Sequence, residues 1–118
     1  MTSTTNSELV KLVRALRKGA RENEAGIWRA IADHLSRSRQ SRIAVNVSRI
    51  NRYTKGGDMV VVPGKVLGAG RIDHPIHVAA FAFSEQARSK ILGAKGKCLS
   101  ILELMEKKPK GTNVKIIR

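Results

Sequence analysis

A run of basic side chains without an acidic neighbour is the first feature of the sequence that could do chemistry. There is no carboxylate between Asp33 and Asp58, whereas residues 34–57 contain six cations. These are Arg37, Arg39, Arg42, Arg49, Arg52 and Lys55. Five of the six are arginines, whose planar guanidinium group presents donors in a fork that suits bidentate contacts with phosphate oxygens. The segment therefore indicates an anion-binding surface, and the alternative is a solvated loop.

Neutral amides and a glycine-rich stretch extend this candidate surface. Asn46 and Asn51 add donors and acceptors that can read a ribose 2′-hydroxyl or a base edge. Residues 63–71 contain three glycines and two cations, and backbone amides can approach a phosphate closely where side chains are missing. A plain tight turn is the alternative for this stretch. We predict that its phosphate contacts are made by Gly64, Lys65 and Arg71.

Residues that could support catalysis or hold a metal are few. His74 and His77 could bind a metal together with Asp73, but Pro75 lies between the two histidines and the sequence has one cysteine, Cys98. Neither a dinucleotide-binding nor a phosphate-loop glycine motif is present, and no pair of carboxylates suggests acid–base work. We therefore predict no catalytic residues, no metal, no cofactor and no small-molecule substrate.

The overall charge says what kind of partner to expect. The chain has 118 residues, with 23 Lys and Arg against 9 Asp and Glu, which gives a formal net charge of +14. Such an excess favours a polyanion, and nucleic acid is the commonest one. A membrane partner is disfavoured, because no apolar run approaches the roughly 20 residues that span a bilayer and no lipidation motif is present.

Length, cysteine content and aromatic content narrow the class further. A chain of this size predicts one domain over residues 1–118, with residues 1–5 as a flexible tail. A start without a signal peptide and a single cysteine favour the cytoplasm. Aromatic residues make up 3% of the sequence, too few for a surface that stacks bases. Binding is therefore expected to use phosphates and shape.

Hydrophobic periodicity predicts two helices at the N-terminus. The first begins at a capping box formed by Thr5 and Glu8 and ends near Gly19. The second covers residues 27–35, with Trp28 as a core anchor.

The remainder of the sequence predicts strands that lead directly into helices. Strands are expected at 43–47, 59–62, 76–83, 97–99 and 114–117, with Pro63 closing the second. Three of the strands lead into helices capped by Ser48, Ser84 and Ser100. This order predicts an α/β fold in which N-terminal helices precede alternating strands and helices.

Several of these segments resemble one ribosomal protein family. The similarity lies in residues 27–29, the Ser38-Arg39 loop, residues 46–50 and, above all, residues 60–68, VVVPGKVLG. These are similar to the archaeal members of the large-subunit ribosomal protein eighteen family (eL-eighteen), which is related to the ribosomal protein fifteen superfamily. The resemblance implies an irregular superhelix of β-β-α turns with a small sheet. It also implies large-subunit ribosomal RNA and neighbouring ribosomal proteins as partners, within the cytoplasmic ribosome.

Together, these features predict a structural constituent of the large ribosomal subunit that binds folded ribosomal RNA through the arginine-rich loop and the element that follows it. The long basic extensions of the eukaryotic members are absent, which favours an archaeal source. The same charge would also suit a non-specific, chromatin-like DNA-binding protein, and this class remains the alternative.

Overall fold

A computed structural model describes residues 7–37 and 43–118. Within these residues, two helices come first and are followed by five strands and three further helices. The helices are α1 Ser7–Asn23, α2 Gly26–Leu35, α3 Val47–Arg52, α4 Glu85–Gly93 and α5 Ile101–Lys107. The strands are β1 Ile43–Asn46, β2 Met59–Leu67, β3 His77–Phe83, β4 Lys97–Ser100 and β5 Val114–Ile116.

The five strands form one parallel sheet in which β2 is central. Their order is β1-β2-β3-β4, and β5 also pairs with β2. Strand β3 takes one edge of β2, so β1 and β5 share the other edge. There β5 pairs with the first part, Met59 to Val61, and β1 with the last part, Gly64 to Leu67.

Side-chain alternation along β2 divides the core into two apolar clusters. Val61 lies in the cluster formed with α1, α2 and α5, whereas Val60 and Val62 lie in the cluster formed with α3 and α4. Both faces of the sheet are therefore covered, which explains why residues 59–62 of β2 are an unbroken apolar run. The predicted α/β class, with helices before alternating strands and helices, is confirmed.

The prediction that Pro63 closes its strand is wrong. Strand β2 continues to Leu67, with a register shift between Val62 and Lys65 in its pairing with β3. Proline cannot donate to a strand ladder, but Pro63 falls between the residues of β2 that pair with β5 and those that pair with β1. The missing N–H of Pro63 thus lies where the partner strand of β2 changes from β5 to β1.

Gly19 and Ser48 also differ from prediction. Helix α1 continues through Gly19 to Asn23. The missing side chain of Gly19 leaves room for Met105 of α5. Helix α3 begins at Val47, with Asn46 at the N-cap and no side-chain capping bond. The amide of Ser48 instead donates to the carbonyl of Ala69 at 3.2 Å. A neighbouring segment therefore replaces the expected cap.

Other local predictions are confirmed. The hydroxyl of Ser84 accepts from the amide of Ala87, and Ser100 and Glu103 form a capping box. Trp28 is completely buried. Thr5 and the predicted tail, residues 1–5, lie outside the described residues. In the described part of the chain, no helix is long and apolar enough to span a bilayer.

Candidate nucleic-acid interface

Helix α3 presents its arginines outward because its two apolar residues are used in the core. Val47 and Ile50 are fully buried, whereas Arg49 and Arg52, three residues apart, are exposed on the outer side of the helix. The Arg49 guanidinium carbon lies 5.3 Å from the centre of the Tyr53 ring, within the range of a cation–π contact. The pair presents a charged plane beside an aromatic ring that is 53% exposed.

The connection from β2 to β3 runs along one flank of α3. Asn46 Oδ1 accepts from the amide of Ala69 at 3.1 Å, and Asn51 Oδ1 accepts from the amide of Asp73 at 3.2 Å. Arg71 lies between these two attachment points and is exposed. The two asparagines therefore hold the connection against α3 and bring Arg71 beside the α3 arginines.

The glycines of residues 63–71 serve close packing within the protein. Gly64 is buried in β2, where an added Cβ would collide with the backbone carbonyl of Ile43 in β1. A Cβ on Gly68 would meet Gln86 of α4. Lys90 Nζ donates to the carbonyls of Gly68 and Gly70 at 2.6 and 2.5 Å. Gly64 is thus placed inside the sheet and not in an exposed turn.

The end of β5 lies on the other flank of α3 and adds two cations that sequence reasoning missed. A groove of about 510 Å³ separates Arg49 and Tyr53 from Lys115 and Arg118. The sequence signal was weak, because Lys115 and Arg118 sit on either side of two apolar residues in a short predicted strand. Only the pairing of β5 with β2 places them opposite α3.

Both cations at the end of β5 have polar partners. Lys115 Nζ lies 2.9 Å from Asp58 Oδ2, which also accepts from the amide of Lys55 at 3.0 Å. The hydrogen bond from Lys115, aided by that amide, lowers the pKa of Asp58. Arg118 Nη1 donates to Nε2 of His34 at 2.8 Å. These contacts fix the end of β5 to the segment after α3 and to the end of α2.

We define the α3 surface as the cations that these contacts bring together. It consists of Arg49, Arg52, Lys55, Arg71, Lys115 and Arg118. Among the described residues, Lys115 is the one member of this set that forms an ion pair. The remaining charge is available to an anion from outside.

Not every predicted contact belongs to the α3 surface. Lys65 pairs with Ala44 across β1 and β2, and both are exposed, whereas their neighbours Val45 and Val66 are buried under α3 and α4. Lys65 therefore points away from the α3 side of the sheet. Arg37 is exposed just after the end of α2. The predicted contacts Arg39 and Arg42 lie outside the described residues.

The histidines bond within the protein or stay unpaired. His74 Nδ1 lies 2.9 Å from Asp73 Oδ1, and its Nε2 lies 2.8 Å from the Thr54 hydroxyl. The Nδ1 atom of His77 is buried without a partner in the described structure. Over residues 7–37 and 43–118, no group of three or more potential metal ligands comes together.

Comparison with known proteins decides the family. The chain matches the family described as "Ribosomal protein 60S L18 and 50S L18e" over residues 2–118. The chain belongs to this family. The predicted resemblance is therefore confirmed, and this member of the L18e family is a structural, non-enzymatic component of the ribosome, in the cytoplasm.

Curated relatives of this L18e family member are archaeal proteins named large ribosomal subunit protein eL18. The chain is 47% identical to that of Methanoregula boonei over 114 residues, which cover 97% of this chain and 94% of the relative. The protein of Methanospirillum hungatei shows the same identity and coverage. That of Pyrobaculum aerophilum is 47% identical over 116 residues, covering 98% of this chain and 95% of the relative.

Proposed function

We propose that the protein holds folded large-subunit ribosomal RNA through the α3 surface and the arginine-rich loop that precedes β1. The convergence of exposed cations from three separate segments beside α3 is the observation that carries the proposal. One segment is α3 itself, the second is the β2–β3 connection with Arg71, and the third is the end of β5. Arg37, Arg39 and Arg42 would extend the contact along the backbone of the same RNA.

The geometry favours phosphate contacts over base stacking. Arginine forks bind phosphate oxygens in a bidentate manner and fix the orientation of the protein on the RNA. Tyr53, with Arg49 beside it, offers one place where an unstacked base could lie. Neighbouring ribosomal proteins would then complete the surroundings of the bound domain.

Salt dependence of binding tests the proposal. If the six cations of residues 34–57 each neutralise one phosphate, log K should fall against log salt with a slope of roughly −4 to −5. The probe is a set of transcribed fragments tiled along the large-subunit ribosomal RNA of Methanoregula boonei. A slope shallower than about −2 on the best fragment would contradict the assignment.

A matched pair of variants locates the contact. Arg49→Gln with Arg52→Gln should flatten the slope by about 1.5, since each lost phosphate contact accounts for roughly 0.7–0.9. Lys95→Gln with Lys97→Gln removes the same charge from exposed positions near β4 and should leave the slope nearly unchanged. Equal effects of the two variants would mean that net charge, and not the α3 surface, determines binding.

Competition with duplex DNA tests the alternative function. A protein that uses the A-form shape and the 2′-hydroxyl should prefer the ribosomal RNA fragment to a DNA duplex of equal length. A preference for the DNA would favour the chromatin-like class.

A further inference from the structure

We propose that α1 carries a second RNA-binding surface, which allows the protein to bridge two RNA segments on opposite sides of its sheet. Helix α1 contains five cations and no carboxylate between Glu8 and Glu22. All five are exposed, and they are Lys11, Arg14, Arg17, Lys18 and Arg21. The proposal rests on the proposed function and adds a second contact to it.

The cations of α1 share one face because of helical geometry. Leu12, Val13 and Leu16 are buried against the core. At 100° per residue, Lys11, Arg14, Lys18 and Arg21 fall on the side opposite these three. Their spacing of three, four and three residues makes a row about 15 Å long. We call this row the α1 surface.

The charge of the α1 surface is largely unneutralised within the protein. None of its four cations forms an ion pair in the described structure, whereas the adjacent Arg17 lies 3.6 Å from Asp33 of α2. A groove of about 650 Å³ between the two helices continues the surface and is lined by Arg17, Arg21 and Arg29, together with Glu24 and Asp33. An anion on α1 can therefore also reach α2.

The α1 surface and helix α3 lie on opposite sides of the sheet. Helix α1 packs in the apolar cluster that includes Val61, and α3 packs in the cluster that includes Val60 and Val62. Successive residues of a strand point to opposite faces, so the sheet separates the two helices. One RNA helix lying on α3 would leave the α1 surface facing away from it. A second RNA segment is therefore required to occupy α1.

The chemistry of α1 fits phosphates better than an acidic protein. Protein interfaces obtain most of their affinity from large apolar or aromatic anchors at their centre. In the described part of the chain, the exposed large hydrophobic residues are Tyr53, Leu92 and Leu102, and none belongs to α1. A row of cations without such an anchor suits a phosphate backbone, which needs charge and hydrogen-bond donors alone.

A bridging assay tests the proposal. Two copies of the best-binding ribosomal RNA fragment, one with a donor dye and one with an acceptor dye, are mixed with the full chain at about 0.15 M salt. We expect energy transfer to rise with protein and to fall again at excess protein, when each RNA holds its own copy. Binding to a single fragment is measured separately by fluorescence anisotropy.

Charge-matched variants assign the second contact. Arg14→Gln, Lys18→Gln and Arg21→Gln together should reduce energy transfer at least fivefold while changing single-fragment affinity less than about threefold. Lys95→Gln, Lys97→Gln and Lys107→Gln remove the same charge and should preserve the transfer.

The outcomes separate this inference from the proposed function. If the wild-type chain binds no ribosomal RNA fragment, the proposed function fails. If it binds but gives no transfer, or if the α1 variant bridges like the wild type, the second surface is refuted and the first is retained. Capture of an acidic protein by α1 without bridging would equally overturn the inference.

Discussion

The Oδ1 atom of Asn46 accepts a hydrogen bond from the backbone amide of Ala69 at 3.1 Å, 23 residues away in sequence. This bond joins the end of β1, at the N-cap of α3, to the connection that follows β2. The amide of Ser48 donates to the carbonyl of Ala69. Both the N–H and the C=O of Ala69 are therefore bonded to residues at the start of α3. An asparagine that sequence reasoning assigned to RNA therefore also positions the backbone beside the α3 surface.

Replacing Asn46 should destabilise the protein. Asn46→Ala removes the acceptor of the Ala69 amide and is expected to lower the free energy of unfolding by about 0.5–1.5 kcal/mol. Asn46→Asp keeps an acceptor oxygen, so its stability should stay closer to that of the wild type, while its added negative charge weakens RNA binding. Urea unfolding measures the first effect and fragment binding the second. An alanine variant as stable as the wild type would contradict the structural role of the bond.

The packing of Gly64 against β1 predicts a second stability effect. A Cβ at this position would collide with the backbone carbonyl of Ile43, which cannot move without displacing β1. Gly64→Ala should therefore cost about 1–3 kcal/mol. Gly93→Ala is the matched control, since nothing lies within 4 Å of its added Cβ in α4. That change should be neutral or stabilising, by up to about 1 kcal/mol. Similar losses of stability for the two variants would contradict the close approach of Gly64 to the Ile43 carbonyl.

Trp28 ties the N-terminal helices to the loop after α5. Its Nε1 donates to the carbonyl of Pro109 at 2.7 Å, and its ring is fully buried. Trp28→Phe loses this bond and leaves a cavity, so we expect a loss of about 1–3 kcal/mol. Tyr53→Phe changes an exposed ring and should alter stability by less than about 0.5 kcal/mol. Thermal unfolding compares the stability of the two variants. A Trp28 variant that is no less stable than the Tyr53 variant would contradict a stabilising role for the bond to Pro109.

Two histidines predict a pH dependence of stability. Burial, together with the charges of Arg118 and Arg37, lowers the pKa of His34 below its usual 6.5. Burial, together with Lys97 and Lys107, does the same to the pKa of His77. As pH falls through 6.5, the unfolded chain binds protons at these rings before the folded protein does. The stability that depends on neutral rings is thus present above this pH and is lost below it.

Melting temperatures measured between about pH 7.5 and 5.5 check this expectation, since most carboxylates stay ionised over that range. The wild-type melting temperature should fall toward the acidic end. His34→Gln with His77→Gln should flatten the dependence, because glutamine does not titrate. A double variant that loses stability as steeply as the wild type would show that other groups are responsible.

Much of the fold was predictable because local rules decided it. The apolar run of β2 predicted a strand covered on both faces, and the serines before α4 and α5 predicted their caps. The rules failed where a distant segment supplied the missing partner. Gly19 signals the approach of Met105 and not a helix end. Ser48 lies inside the first turn of α3, where the Ala69 carbonyl accepts its amide in place of a side-chain cap.

The candidate site was predictable in its chemistry and only partly in its composition. Arg49 and Arg52 follow from the acid-free segment, whose charge density is visible in the sequence. Lys115 and Arg118 could not be predicted, because they reach α3 only through the pairing of β5 with β2. Lys65 was grouped with Arg71 by sequence proximity, but it points away from the α3 side of the sheet.

By itself, the sequence determined the class of fold, the excess of positive charge and the kind of partner that such charge selects. These depend on composition and on periodicities of a few residues, which act locally. Only the tertiary structure decided which cations share a surface and that α1 and α3 face opposite ways. Those relations depend on strand order and on the face of the sheet that each helix covers, and both are set by burial of apolar residues far apart in the chain.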